Sequence, residues 1–179
     1  MRRGMTLVEL LIVIAIIVVI AWLAYSVMIQ ARRRAYLTNC ISNLRQLSLA
    51  VHAYENDWGM VPLEYYVETP EGAYGCVQQL IYPYVRDDNV FLCPLDYSRG
   101  EKVGRGAVIW KNKKWRMSYD YFLNDVTVKI YNVTRPFPEM VLFFCGWHID
   151  DNIGIIARYD GRIEIAPSGR YKRISVITE

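Results

Sequence analysis

The 179-residue chain, long enough for one domain, carries 21 basic and 18 acidic side chains, a formal net charge of +3. That balance gives no whole-chain argument for nucleic acid as a partner. Leu10 to Met28 holds Ser26 as its only clearly polar side chain, and about 18 apolar residues suffice to cross a hydrocarbon core about 30 Å thick, so an ordinary soluble cytoplasmic protein is not expected; nor is a multi-span protein, since no second run of that length follows, nor a disordered one, given 14 Tyr, 5 Trp and 5 Phe.

The first predicted element is therefore a membrane-length helix. Arg2 and Arg3 precede it and Arg32, Arg33 and Arg34 follow it, so the arginine counts do not fix its orientation. A cleaved secretory signal would offer Ala24-Tyr25-Ser26 as its cut. Against that, the apolar run exceeds the usual 7–15 residues or so and passes straight into a helical pattern. A plain signal anchor and a buried core helix are the other readings, the latter disfavoured by the length of the run. Glu9 fits none of the three. A carboxylate at the bilayer centre costs about 2.5–3.5 kcal/mol on insertion scales, less near an interface. No cation lies near Glu9 on its helix face within the apolar segment.

Gly4-Met5-Thr6-Leu7-Val8-Glu9-Leu10-Leu11 resembles the prepilin leader motif of type IV pilins and type II secretion pseudopilins. The resemblance implies that a membrane-embedded prepilin peptidase cuts between Gly4 and Met5 and that Met5 becomes N-methylated. Most members carry Phe after the cut, where this chain has Met. A glycine before the cut lets the backbone enter a protease cleft without a side-chain clash. The cut leaves a charged amine on Met5, and Glu9 of a neighbouring copy would neutralise it as helices pack. The chain starts ahead of the cut and reads as the uncleaved precursor.

The helical pattern continues outward. Leu37, Leu44 and Val51 recur every seven residues, and Cys40, Leu47 and Tyr54 form a second register offset by three, an a/d-like seam. Arg45, Ser48, His52 and Glu55 lie off it. With no Pro or Gly between Met5 and Trp58, one continuous helix to about Asn56 is expected, its outer half lying on its own domain. The organisation is thus a leader at 1–4, a transmembrane and assembly helix at 5–29, an amphipathic continuation at 30–58, and a globular loop and antiparallel β region at 59–179.

Beyond the helix the chain reads as sheet. Ile153 to Tyr159 and Arg162 to Ala166 form a hairpin around Asp160-Gly161, a dipeptide suited to a type I′ turn with both residues at positive φ. Ile163 and Ile165 then share a buried face while Arg162 and Glu164 point out. Ala107 to Trp110 and Trp115 to Tyr119 form a second hairpin around Lys111–Lys114, with Trp110 opposite Trp115. Met140 to Cys145 suits a central strand. The gaps between Cys40, Cys76, Cys93 and Cys145 are long and irregular, and with neither Cys-x-x-Cys nor Cys-x-x-His spacing read among them zinc is not expected. Outside the cytoplasmic membrane two disulfides are the natural reading, with three pairings open.

A further resemblance, to one pilin-like group with a His-to-Asp-Gly element, is carried by several segments: Cys40-Ile-Ser-Asn43-Leu44-Arg45-Gln46-Leu47, His52-Ala-Tyr54, Gly59, Pro62, Leu80-Ile-Tyr-Pro83-Tyr84, Phe91-Leu-Cys93-Pro94-Leu-Asp96 and Ser118-Tyr119. Here His148 and Asp160-Gly161 are spaced more widely than in the group. Because Cys40 and Cys93 lie in the best-matching segments, the resemblance implies a Cys40–Cys93 disulfide and, with it, Cys76–Cys145. The fold it implies is α+β and type IV pilin-like, with the long helix packed on a C-terminal antiparallel sheet.

Other constellations carry weaker chemistry. Arg99 to Arg116 holds seven basic residues and one acid, with Trp110 and Trp115 among the lysines. Lys111, Lys113, Lys114 and Arg116 are the candidate polyanion patch, although a solvated hairpin is the plainer reading and nucleic acid is not expected. Asp150, Asp151 and Asp160 are the calcium candidates, with an acidic turn as the plainer reading; no cofactor is otherwise expected. His52, expected to be exposed, and His148 are the only histidines. No catalytic triad and no glycine-rich phosphate loop is legible, so the chain is not expected to be an enzyme. The expected role is a filament subunit in the bacterial inner membrane, its C-terminal domain outside, later in a periplasmic or cell-surface filament. Its expected partners are the prepilin peptidase, other copies or related pilins, the inner-membrane assembly machinery and, before assembly, membrane lipid. The competing role is a membrane-anchored periplasmic binding module or enzyme that uses residues 1–29 only as an anchor; such an anchor needs neither Gly4 nor Glu9.

Overall fold

The structure is a computed structural model that describes residues 6–64, 67–69, 72–74, 76–101, 108–110, 112–123, 136–148 and 152–167. The chain divides into two compact units, Met1–Leu37 and Thr38–Glu179. One helix, α1 (Leu7–Trp58), contributes to both, as the absence of Gly and Pro predicts.

In the first unit every residue from Thr6 to Tyr36 is exposed. The most apolar 18-residue window of α1 has a mean hydropathy of 3.1 with none of it buried. The hydroxyl of Ser26 donates to the Leu23 carbonyl at 2.9 Å, so the one polar side chain of the run is satisfied within the helix, as a lipid environment demands.

In the second unit the outer part of α1 buries Cys40, Asn43, Leu44, Leu47, Ser48, Ala50 and Val51, a stripe at helical spacing. Ser48, expected off the seam, is inside because its hydroxyl bonds back to the Leu44 carbonyl at 2.9 Å. His52, expected to be exposed, is half-buried. Its Nε2 donates to the Tyr159 carbonyl at 2.7 Å, and the Tyr159 hydroxyl donates to Glu55. Gly59 follows the helix at φ +72, with its N–H bonded to the Glu55 carbonyl, a C-terminal stop that glycine favours.

A second helix, α2 (Val77–Val85), was not legible in the sequence, because Pro83 reads as a breaker. In fact Pro83 lies in the last turn of this nine-residue helix, and Arg86 at φ 56 ends it. The Tyr84 hydroxyl ties α2 to Asp57 of α1 at 2.8 Å. A 3-10 turn (Asp88–Phe91) follows.

The described strands form two antiparallel meanders. One comprises β1 (Val67–Thr69), β2 (Gly72–Tyr74), β3 (Val108–Trp110) and β4 (Lys113–Trp115); the other comprises β5 (Asp120–Tyr121), β6 (Val141–Cys145), β7 (Ile153–Arg158) and β8 (Ile163–Pro167). As expected, β6 is a central strand. Leu44, Leu47, Val51, Val77, Ile81, Phe91, Tyr119, Leu123, Leu142, Phe143 and Ile155 are fully buried, each contributing about 1.5–3 kcal/mol by burial.

Both hairpin registers differ from expectation. The β3–β4 connection is two residues, not four, with Asn112 at φ 62. Trp110 therefore faces Lys113, and Trp115 faces Val108. In the β7–β8 loop only Gly161 (φ 84), and not Asp160, has positive φ, and the Gly161 N–H bonds to the Arg158 carbonyl. The loop is thus three residues with a left-handed glycine rather than a type I′ turn. The extra residue slips β8 by one position, so Ala157 pairs with Ile163 and Ile156 with Glu164. A one-residue slip exchanges the two faces of a strand, hence Ile165 is 51% exposed while Ala166 is buried. Glu164 turns back to accept both Nε and a terminal nitrogen of Arg158 at 2.7 Å.

Candidate functional site

Gly4 and Met5 lie outside the described residues. Immediately after them, Thr6 and Glu9 form a reciprocal cap on the start of α1. The Thr6 N–H and hydroxyl both donate to Glu9 Oε2 at 2.9 Å, and the Glu9 N–H donates to Thr6 Oγ1 at 3.3 Å. This is a Thr-x-x-Glu capping box, which satisfies helix donors that have no partner further up the helix. Glu9 was expected to lack a partner in its own chain; the structure supplies a hydrogen-bonding one, though not a cation. The Thr-x-x-Glu spacing was readable in the sequence and marks the helix start one residue past Met5.

The second constellation lies wholly in the Thr38–Glu179 unit. Cys40 of α1, Cys93 after the 3-10 turn, Cys145 at the end of β6 and His148 three residues on place their ligand atoms within 4.8 Å of one another. All four residues are buried, His148 completely. His148 Nε2 is 3.9 Å from Cys93 Sγ. Its Nδ1 has no hydrogen-bond partner among the described residues. With three sulfurs packed together, one ionises in preference to the others. The Cys93 thiol is held far below the usual range by hydrogen bonds from Cys145 and Cys40, with His148 adding to them. Cys145 is pushed up by sharing with Cys40 and Cys93 and by burial. Cys40 also rises, its bond with Cys93 and its burial outweighing the opposing effect of Cys145.

The loops that carry these groups are fixed from outside. The buried Asp96 carboxylate accepts the Ser98 N–H and hydroxyl, the Gly100 N–H and the Ser118 hydroxyl, at 2.6–2.8 Å, and the Asp96 N–H bonds to the Cys93 carbonyl. Ser118 also accepts Trp147 Nε1 on its carbonyl at 2.9 Å. One residue thus ties the Cys93 loop to the Cys145–His148 loop. Asn43 Nδ2 donates to the Leu92 carbonyl and the Tyr119 hydroxyl.

The disulfide expectation needs correction. Cys40 and Cys93 are neighbours, but all four cysteines are free thiols. Cys145 lies with them rather than with Cys76, which stands half-buried at the start of α2 with its thiol pushed up to about 11 by burial. The sequence did carry a signal for the four-residue cluster. The expectation that no Cys-x-x-His spacing is present is wrong: Cys145-Gly-Trp-His148 is such a pair.

The remaining candidates stay apart from that cluster. Lys111, Asp150 and Asp151 lie outside the described residues. Lys113 pairs with Asp88 at 3.1 Å and sits over the rings of Tyr82 and Trp115, while Lys114 pairs with Glu101 at 2.5 Å; Arg116 is half-buried. The two lysines are thus engaged within the chain. Asp160 accepts the Arg162 N–H and Nε, so its carboxylate serves the hairpin loop. A cleft of about 620 Å³ lined by Asn39, Asn43, Asp87, Asp96 and Tyr97, among others, holds two acids that already accept local N–H groups.

The prokaryotic N-terminal methylation motif matches residues 1–25. A family described as a protein of unknown function, DUF1559, matches residues 30–107. No curated protein and no solved structure matches the chain. The methylation motif covers Gly4 to Leu11, the residues that carry the prepilin resemblance, and a long helix and antiparallel sheets follow it, an arrangement consistent with a type IV pilin-like protein.

Proposed function

We propose that the chain is a structural subunit of a type IV pilus-like or type II secretion filament, cut between Gly4 and Met5, methylated on Met5 and assembled through the first part of α1. The observation that carries this reading is the exposed apolar helix whose start, beside the cut, is held by Glu9. An all-round apolar helix is stable only in lipid or against other helices. Lipid holds it before assembly, and copies of itself or related pilins hold it afterwards. In that packing Glu9 has two tasks. It caps its own helix through Thr6, and it supplies the negative charge that the Met5 amine of a neighbour requires.

The two tasks separate experimentally. Gln serves a capping box as Glu does but carries no charge. Glu9→Ala removes both functions, and Glu9→Gln removes only the charge. Both variants are expected to insert and be processed, and both to lose most of their filaments, measured as sheared filament protein against total protein. Wild-type filament yield from Glu9→Gln would reduce Glu9 to a cap, and wild-type yield from Glu9→Ala would remove it from assembly altogether.

A further inference from the structure

We propose that Cys40, Cys93, Cys145 and His148 form a structural site for a zinc-type divalent cation, with three thiolates and one imidazole in a tetrahedron. A zinc ion with Zn–S near 2.3 Å holds its sulfurs about 3.8 Å apart. Four ligand atoms within 4.8 Å of one another need only a small inward movement to reach that spacing. The donor set is one that structural zinc sites use. Soft thiolates also select against calcium and magnesium, which take oxygen ligands.

Three further observations point the same way. First, the cluster is closed: none of its four residues is more than 3% exposed. No position remains for water or substrate, which distinguishes a structural from a catalytic zinc. Second, a buried imidazole that brings Nε2 to 3.9 Å from Cys93 Sγ among three buried thiols is a costly arrangement without a cation. A divalent ion gives every sulfur a charge partner at once. Third, the ligands come from three separate places in the chain, and the loops bearing three of them are already fixed through Ser118, Asp96 and Trp147. Fixed outer bonds of this kind orient metal ligands. The ion would fasten the outer part of α1 to both loops, doing without covalent linkage what was expected of the disulfides. This inference does not depend on the filament reading.

The test uses the full-length chain, purified in detergent without reductant from cells grown with zinc. Elemental analysis is expected to find one zinc per chain, removed by a strong chelator. Cobalt(II) reloaded in its place is expected to give the intense visible bands of a tetrahedral site and a thiolate charge-transfer band. Cys76→Ser is expected to keep full stoichiometry. Cys145→Ser and His148→Ala are expected to lose the metal or bind it far more weakly. Because either loss could reflect misfolding, His148→Cys serves as the second variant: it is expected to keep the ion with a stronger charge-transfer band. Three results would overturn the proposal: a disulfide joining any two of Cys40, Cys93 and Cys145 in the isolated chain, a wild-type chain that takes up neither zinc nor cobalt stoichiometrically, or an unchanged cobalt spectrum in Cys145→Ser.

Discussion

The two parts of α1 use similar residues to opposite ends. Up to Tyr36 the helix is exposed all round, and its apolar side chains have no cover within their own unit. From Cys40 onward only one stripe is buried, and Leu44, Leu47 and Val51 are completely covered within their own unit. A striped helix is completed by its own chain, whereas a helix that is apolar on every side asks for something outside it.

The sharpest way to break this comparison is to truncate one side chain in each part. Leu44→Ala is expected to cost the second unit about 2–5 kcal/mol, as large-to-small changes in a packed core do, measured by thermal or denaturant unfolding of the chain in detergent. Ile17→Ala, at a residue 58% exposed, is expected to change that unfolding by no more than about 0.5 kcal/mol. Comparable losses from both would mean that the apolar part is covered by its own chain after all.

A smaller effect tests the edge of the β5–β8 sheet. Arg158 holds the Glu164 carboxyl below its ordinary value of 4.5, opposed by a little burial. A depressed folded-state value stabilises above the unfolded one and is lost as pH falls through the folded one. The pair's contribution is therefore expected to be present at neutral pH and to fade below pH 4.5. Glu164 is 39% exposed on its side chain, so solvent screening keeps the contribution at or under about 1 kcal/mol. Glu164→Gln should flatten the acid limb of the stability curve by that amount; an unchanged limb would show that the pair adds nothing.

What could be read from the sequence follows the same division. The continuity of α1, the Cys40–Leu44–Leu47–Val51 stripe and the central strand at Val141–Cys145 were legible because hydrophobic periodicity is local. The hairpins were legible as hairpins, yet their registers were not. One extra loop residue at Gly161 was enough to exchange Ile165 for Ala166 on the buried side. The α2 helix was hidden because Pro83 falls in its last turn. The thiol–imidazole cluster was the least legible feature. Three of its four members are far apart in sequence, and the choice of Cys145 rather than Cys76 is made by tertiary packing. Only Cys145-x-x-His148 was local enough to be seen.

The measurement that bears most directly on the account is the intact mass of the chain recovered from its native membrane or filaments. The account predicts a mature chain that begins with N-methylated Met5, lighter than the full sequence by the four-residue leader, and a Gly4→Leu variant that keeps that leader. A wild-type chain retaining Met1, or one cut near Ser26, would contradict it and make the apolar helix an anchor or a signal.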